Sequence, residues 1–124
     1  MVVDTSAVLA MFFGEPSAAW VAGQLNEHAR ALRMSTVNLA EALIRIRDRQ
    51  PQLADELEER LLASGIRFVP PDVRQAQLAA RARLTYPLNL GDCFAYALAK
   101  VEDSVILTVD SDFRAVDCRV LTPT

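Results

Sequence analysis

The chain has 124 residues, 52% of them hydrophobic, with 13 basic and 16 acidic side chains and a net charge of −3. That length suits a single domain over residues 1–124, with ample apolar material for one core. The charge excludes a protein that coats nucleic acid through bulk positive potential.

Two cysteines, Cys93 and Cys118, form no CxxC and are too few for a disulfide framework. They read as thiols of a reducing compartment. No apolar run approaches the ~20 residues of a membrane span. The start, Met-Val-Val-Asp, lacks the basic region of a signal peptide. The expectation is a soluble, cytoplasmic protein with no membrane association.

Val2-Val3 predicts a short strand that stops at Asp4, and Thr5-Ser6 offers a cap for a helix running to Phe13. Gly14 ends that helix, and Pro16 suits the first turn of another reaching about Ala29. Leu32 to Thr36 reads as a strand. A helix opened by Ser35 or Thr36 follows and closes before Pro51. Gln52 to Ala63 is amphipathic, with Leu53, Leu57, Leu61 and Leu62 sharing a side, and Gly65 is a natural stop.

Ile66 to Val69 predicts a strand, and Asp72 caps a helix extending to about Leu84. Tyr86 to Gly91 connects to a helix opened by Asp92. Val105 to Val109 reads as a buried strand, and Arg119-Val120-Leu121 as an edge strand. Strands alternating with helices predict a three-layer α/β/α sandwich around a short-stranded, mostly parallel sheet.

Four carboxylates interrupt or end apolar sequence. Asp4 and Asp110 stand at the carboxyl ends of predicted strands, the edge where open α/β sheets place their ligand crevice. Asp92 stands at a helix start, and Glu41 lies within a helix, sharing a face with Val37, Ala40 and Ile44. Taken singly, Asp4 and Asp92 read equally well as helix caps and Asp110 as the start of an Asx-turn. Glu41 needs a partner, either a cation or an arginine. Clustered carboxylates repel one another, and a divalent cation removes that cost. All-oxygen ligation suits Mg²⁺, with Mn²⁺ as the alternative, rather than zinc. The single histidine, His28, excludes a His-rich metal site and gives no support to a Ser-His-Asp triad.

The motifs Val3-Asp4-Thr5-Ser6-Ala7, Asn38-Leu39-Ala40-Glu41, Leu90-Gly91-Asp92-Cys93 and Thr108-Val109-Asp110-Ser111-Asp112-Phe113 occur in this order. Together they resemble the PIN domain, specifically the VapC-type toxin ribonucleases of bacterial type II toxin–antitoxin pairs. The resemblance spans essentially the whole chain. It implies that Asp4, Glu41, Asp92 and Asp110 are catalytic and metal-binding. Asp112 is then a fifth acid, either a ligand or a structural partner. Thr5 or Ser6 and Thr108 would orient the carboxylates, and Asn38 would orient Glu41 or contact substrate. The resemblance further implies Mg²⁺-dependent RNA endonuclease activity leaving 3′-hydroxyl and 5′-phosphate ends. It also implies a cognate VapB-like antitoxin and a homodimer.

Three other readings compete. A dehalogenase-like phosphatase needs an aspartate where Ser6 stands. A receiver domain needs paired acids after the first strand and a late strand-end lysine, whereas Asp4 is alone and Lys100 falls in a predicted helix. A PIN-like binding module that cleaves nothing would have lost an acid, and all four are present. Arg45, Arg47 and Arg49 lie beyond Glu41 and, two apart, splay around the helix. They read as solvated charges or as phosphate contacts. Without the five acids, 11 acidic residues remain against 13 basic, a balance of +2 that is compatible with RNA.

Overall fold

The computed structural model describes residues 1–123. The strands are β1 (Val2–Val3), β2 (Arg33–Ser35), β3 (Arg67–Val69), β4 (Ile106–Leu107) and β5 (Val120–Leu121). The helices are α1 (Thr5–Phe12), α2 (Ala18–Glu27), α3 (Thr36–Arg49), α4 (Ala54–Leu62), α5 (Val73–Thr85) and α6 (Leu90–Glu102). A 3-10 turn follows β4 over Ser111–Ala115. The sheet order is β3-β2-β1-β4-β5, and every pairing is parallel. The PIN-like three-layer arrangement expected from the sequence is therefore present, with a sheet that is wholly rather than mostly parallel.

The pleat sorts neighbouring side chains to opposite faces. Val3 and Leu107 join the core beneath α1, α2, α3 and α4, which includes Ala7, Val21, Ile46 and Leu61. Val2 and Ile106 point the other way, into a core with α5 and α6 that includes Ala79, Leu98 and Phe113. Strands buried on both faces read as short continuous apolar runs, which explains the lack of alternation in the sequence.

Several boundaries differ from the expectation. Asp4, not Thr5 or Ser6, caps α1 through its side chain. Helix α6 opens at Leu90 with Asn89 as its cap, so Asp92 lies one turn inside. Pro16 precedes α2, which begins at Ala18. On α4 the buried face is Ala54, Leu57 and Leu61, while Leu53 and Leu62 are exposed. On α3 the core takes Asn38, Ala42 and Ile46, leaving Ile44 exposed beside the face that carries Glu41. No helix among the described residues is long and apolar enough to cross a membrane.

Candidate active site

Parallel strands β1 and β4 are neighbours, so their carboxyl ends carry Asp4 and Asp110 to one edge of the sheet. Asp4 is buried at 1% exposure, and three donors converge on one of its oxygens. Its Oδ2 accepts from Ser6 Oγ at 2.7 Å, Thr108 Oγ1 at 2.9 Å and Ser6 N at 3.4 Å. The Ser6 hydroxyl also accepts from Val109 N, and Thr108 Oγ1 accepts from Asp110 N. Two hydroxyls thus lace the ends of β1 and β4 together around one carboxylate. The second oxygen, Oδ1, is buried without a hydrogen-bond partner. Burial pushes the Asp4 carboxyl up to about 6, against the Ser6 and Thr108 donors and with the charge of Asp110.

Glu41 is half-buried on α3, and among the described residues no arginine pairs with it. Its Oε1 accepts from Thr5 Oγ1 at 2.9 Å and Asn38 Nδ2 at 3.0 Å. Thr5 also reaches Asn38 O, and Asn38 Nδ2 donates to Gly91 O at 2.9 Å. Asn38 therefore ties α3 to the first turn of α6. At Gly91 a β-carbon would overlap the Glu41 carboxylate, so this turn passes the acid only because the residue has no side chain.

Asp92 closes a reciprocal capping box: its Oδ2 accepts from Asn89 N, and Asn89 Oδ1 accepts from Asp92 N. Burial first, then the charge of Asp4, pushes the Asp92 carboxyl up to about 7, although the Asn89 N–H pulls it down. Asp110 caps the 3-10 turn, its Oδ1 accepting from Asp112 N at 2.9 Å. Asp92, Asp110 and Asp112 each offer an oxygen within 4.8 Å of the others.

The sequence-predicted residues come together with one distinction. Asp4, Glu41, Asp92 and Asp110, with Thr5 and Ser6, line a cleft of about 220 Å³. Asn38 and Thr108 stand behind it as the hydrogen-bonding partners described above. Asp112 is exposed and lies beside the cleft, reaching the cluster through Asp92 and Asp110. The cap reading of Asp4 and the Asx-turn reading of Asp110 hold as well, while the cap of α6 is Asn89 rather than Asp92. An all-oxygen set with one orphaned buried carboxylate oxygen fits a hard divalent cation.

Sequence reasoning missed Asn89, although Asn89-x-x-Asp92 is a capping-box spacing. It also gave Gly91 no role. It separated Arg45 from Arg49, which stand one turn apart in register with Glu41 and line the cleft together. Arg47 points elsewhere and pairs with Asp55 and Glu58.

A PIN domain family profile matches residues 1–118. Ribonuclease VapC42 of Mycobacterium tuberculosis is 37% identical over 129 aligned residues, covering 96% of this chain and 97% of that protein. Among solved structures, Mycobacterium tuberculosis VapC20, described as a Sarcin-Ricin loop cleaving toxin, superposes with a TM-score of 0.83 at 16% identity. The match covers 98% of each chain. DNA-bound VapBC from Salmonella typhimurium gives a TM-score of 0.75 at 17% identity, covering 98% of this chain and 96% of that one. Profile, near full-length relatives and the convergence of four carboxylates at one sheet edge agree: this chain belongs to the PIN domain family, in its VapC ribonuclease branch.

Proposed function

We propose that this chain is a single-domain, Mg²⁺-dependent endoribonuclease, the toxin of a VapBC-type type II toxin–antitoxin pair. The observation that supports this most is the meeting of Asp4, Glu41, Asp92 and Asp110 from four separate elements in one cleft. Asp4, Glu41, Asp92 and Asp110 would hold the ion, with the exposed Asp112 beside them. When bound, a divalent ion offsets the mutual repulsion of the acids and supplies the Lewis acidity and water activation for phosphodiester hydrolysis.

The chain's own residues prepare that chemistry. Ser6 and Thr108 occupy one Asp4 oxygen and leave the other free. Thr5 and Asn38 likewise hold Glu41 by a single oxygen, Oε1, which sets the carboxylate in a fixed orientation. The capping box locks Asp92 on the first turn of α6, so the acids of the cleft need little reorganisation before reaction. RNA is the substrate, the ends left are 3′-hydroxyl and 5′-phosphate, and a VapB-like antitoxin and a second copy of the chain are the partners.

Sequencing of RNA ends after incubation with the purified chain tests this reading. Cleavage in Mg²⁺ that disappears in EDTA and in Asp92→Asn is the expected result. EDTA-resistant cleavage by a pure sample would overturn it. Growth arrest that persists in both Asp4→Asn and Asp92→Asn would favour a binding module acting through protein partners instead.

A further inference from the structure

We propose that Arg45 and Arg49 grip the RNA backbone phosphates flanking the scissile one, so that the bound strand runs along α3. The proposal rests on the ribonuclease reading above and adds where the substrate lies.

Glu41, Arg45 and Arg49 are spaced by four residues, which places them on one face of α3 in steps of about 6 Å. Both arginines are exposed and line the same cleft as the carboxylates. Exposed arginines beside acids ordinarily fold onto them. Among the described residues neither Arg45 nor Arg49 has a carboxylate within ion-pair distance, although Glu41 and Glu15 share the cleft. Arg47, on the same helix, pairs through Nη2 with Asp55 and Glu58. The Arg49 guanidinium lies 4.1 Å over the ring of Phe13, another cleft residue, which steadies its plane without using its N–H donors. Two guanidiniums with free donor forks, one held in orientation, are matched to phosphate oxygens. Their placement on one side of the acids gives the strand a direction: away from Glu41 toward the end of α3.

Fluorescence anisotropy with labelled single-stranded RNA tests the contact without cleavage, using the Asp92→Asn chain in Mg²⁺. Arg45→Ala and Arg49→Ala are each expected to lower the slope of log affinity against log salt by about 0.7, and together to weaken binding roughly tenfold at low salt. Arg47→Ala, which removes the same charge, should leave the slope unchanged. In the enzyme with Asp92 intact, the double variant should raise KM and change kcat by less than about threefold. Unchanged binding in the double variant, or an equal loss in Arg47→Ala, overturns the proposal. Wild-type chain that binds RNA through both arginines yet never cleaves it overturns the nuclease reading and upholds the contact. Wild-type chain that cleaves while the double variant binds normally overturns the contact alone.

Discussion

Gly91 faces the carboxylate of Glu41 so closely that a β-carbon at position 91 would occupy the space of the Glu41 Cδ and both its oxygens. The obstructing atoms are the tip of a flexible side chain, so Gly91→Ala would displace Glu41 rather than the backbone. Within a helix, alanine is otherwise favoured over glycine by roughly 0.5–1 kcal/mol. We expect Gly91→Ala to lower Tm modestly, the helix gain offsetting only part of the lost Thr5 and Asn38 bonds to Glu41, while cleavage falls about 10–100-fold, the usual cost of misplacing a group at a metal site. Cleavage at the wild-type rate, with a wild-type melting curve, would show that Glu41 needs no fixed position.

Thr108→Val removes the donor at 2.9 Å from Asp4 Oδ2 and the acceptor at 2.9 Å from Asp110 N, both at a fully buried residue. Shape is preserved, so the effect isolates the hydrogen bonds. Urea denaturation should report a loss of about 1–3 kcal/mol. The exposed Thr85, whose hydroxyl only returns to Arg81 O, provides the comparison: Thr85→Val should cost less than about 0.5 kcal/mol.

Asp4 and Asp92 are raised from 3.8 to about 6 and about 7. The folded chain therefore binds more protons than the unfolded chain across that interval. Their contribution to stability is complete below about pH 4 and is lost as pH rises through about 6 and 7. Metal-free protein should melt at falling temperature across this window. Asp92→Asn keeps an oxygen for the Asn89 N–H and carries no charge, so its profile should be flatter and its Tm above pH 7 higher than wild type. A variant profile as steep as that of the wild type would contradict this account.

The same raised carboxyls make cation binding a proton-releasing event. Calorimetric titration with Mg²⁺ near pH 6.5 should give an apparent enthalpy that changes with the ionisation enthalpy of the buffer. The dependence should shrink by pH 8 and in Asp92→Asn. Enthalpies equal in all buffers would mean that both acids are already ionised.

Much of the site is legible in sequence because carboxylates that follow apolar strand runs are conspicuous. Val2-Val3-Asp4 declares a strand end directly; β4 stops at Leu107, three residues before Asp110 and shorter than the Val105–Val109 run suggests, yet its parallel pairing with β1 makes neighbours of the two acids. The role of Gly91 is not legible, because it depends on how close α3 and α6 approach, a distance no local pattern encodes. Arg45 and Arg49 were readable as a pair at helical spacing, but their freedom from ion pairs depends on where α4 places Asp55 and Glu58. Glu41 invites an arginine partner by charge alone, but its oxygen is held by Thr5, 36 residues away, and by Asn38, three residues earlier on the same helix, both among the orienting groups the resemblance implied. The exposure of Leu53 and Leu62 has the same origin, since α4 is covered on one narrow stripe only.

The bond from Thr108 to Asp4 spans 104 positions of the chain. Strand β1 leaves the ribosome first, yet its central place in the sheet is completed only when β4 arrives on its other side. Until the last segments emerge, Asp4 lacks the Thr108 hydroxyl and the cluster lacks Asp110. A nascent or truncated chain ending before residue 108 thus carries Asp4, Glu41 and Asp92 without the hydroxyl and the fourth acid that complete the cleft around them.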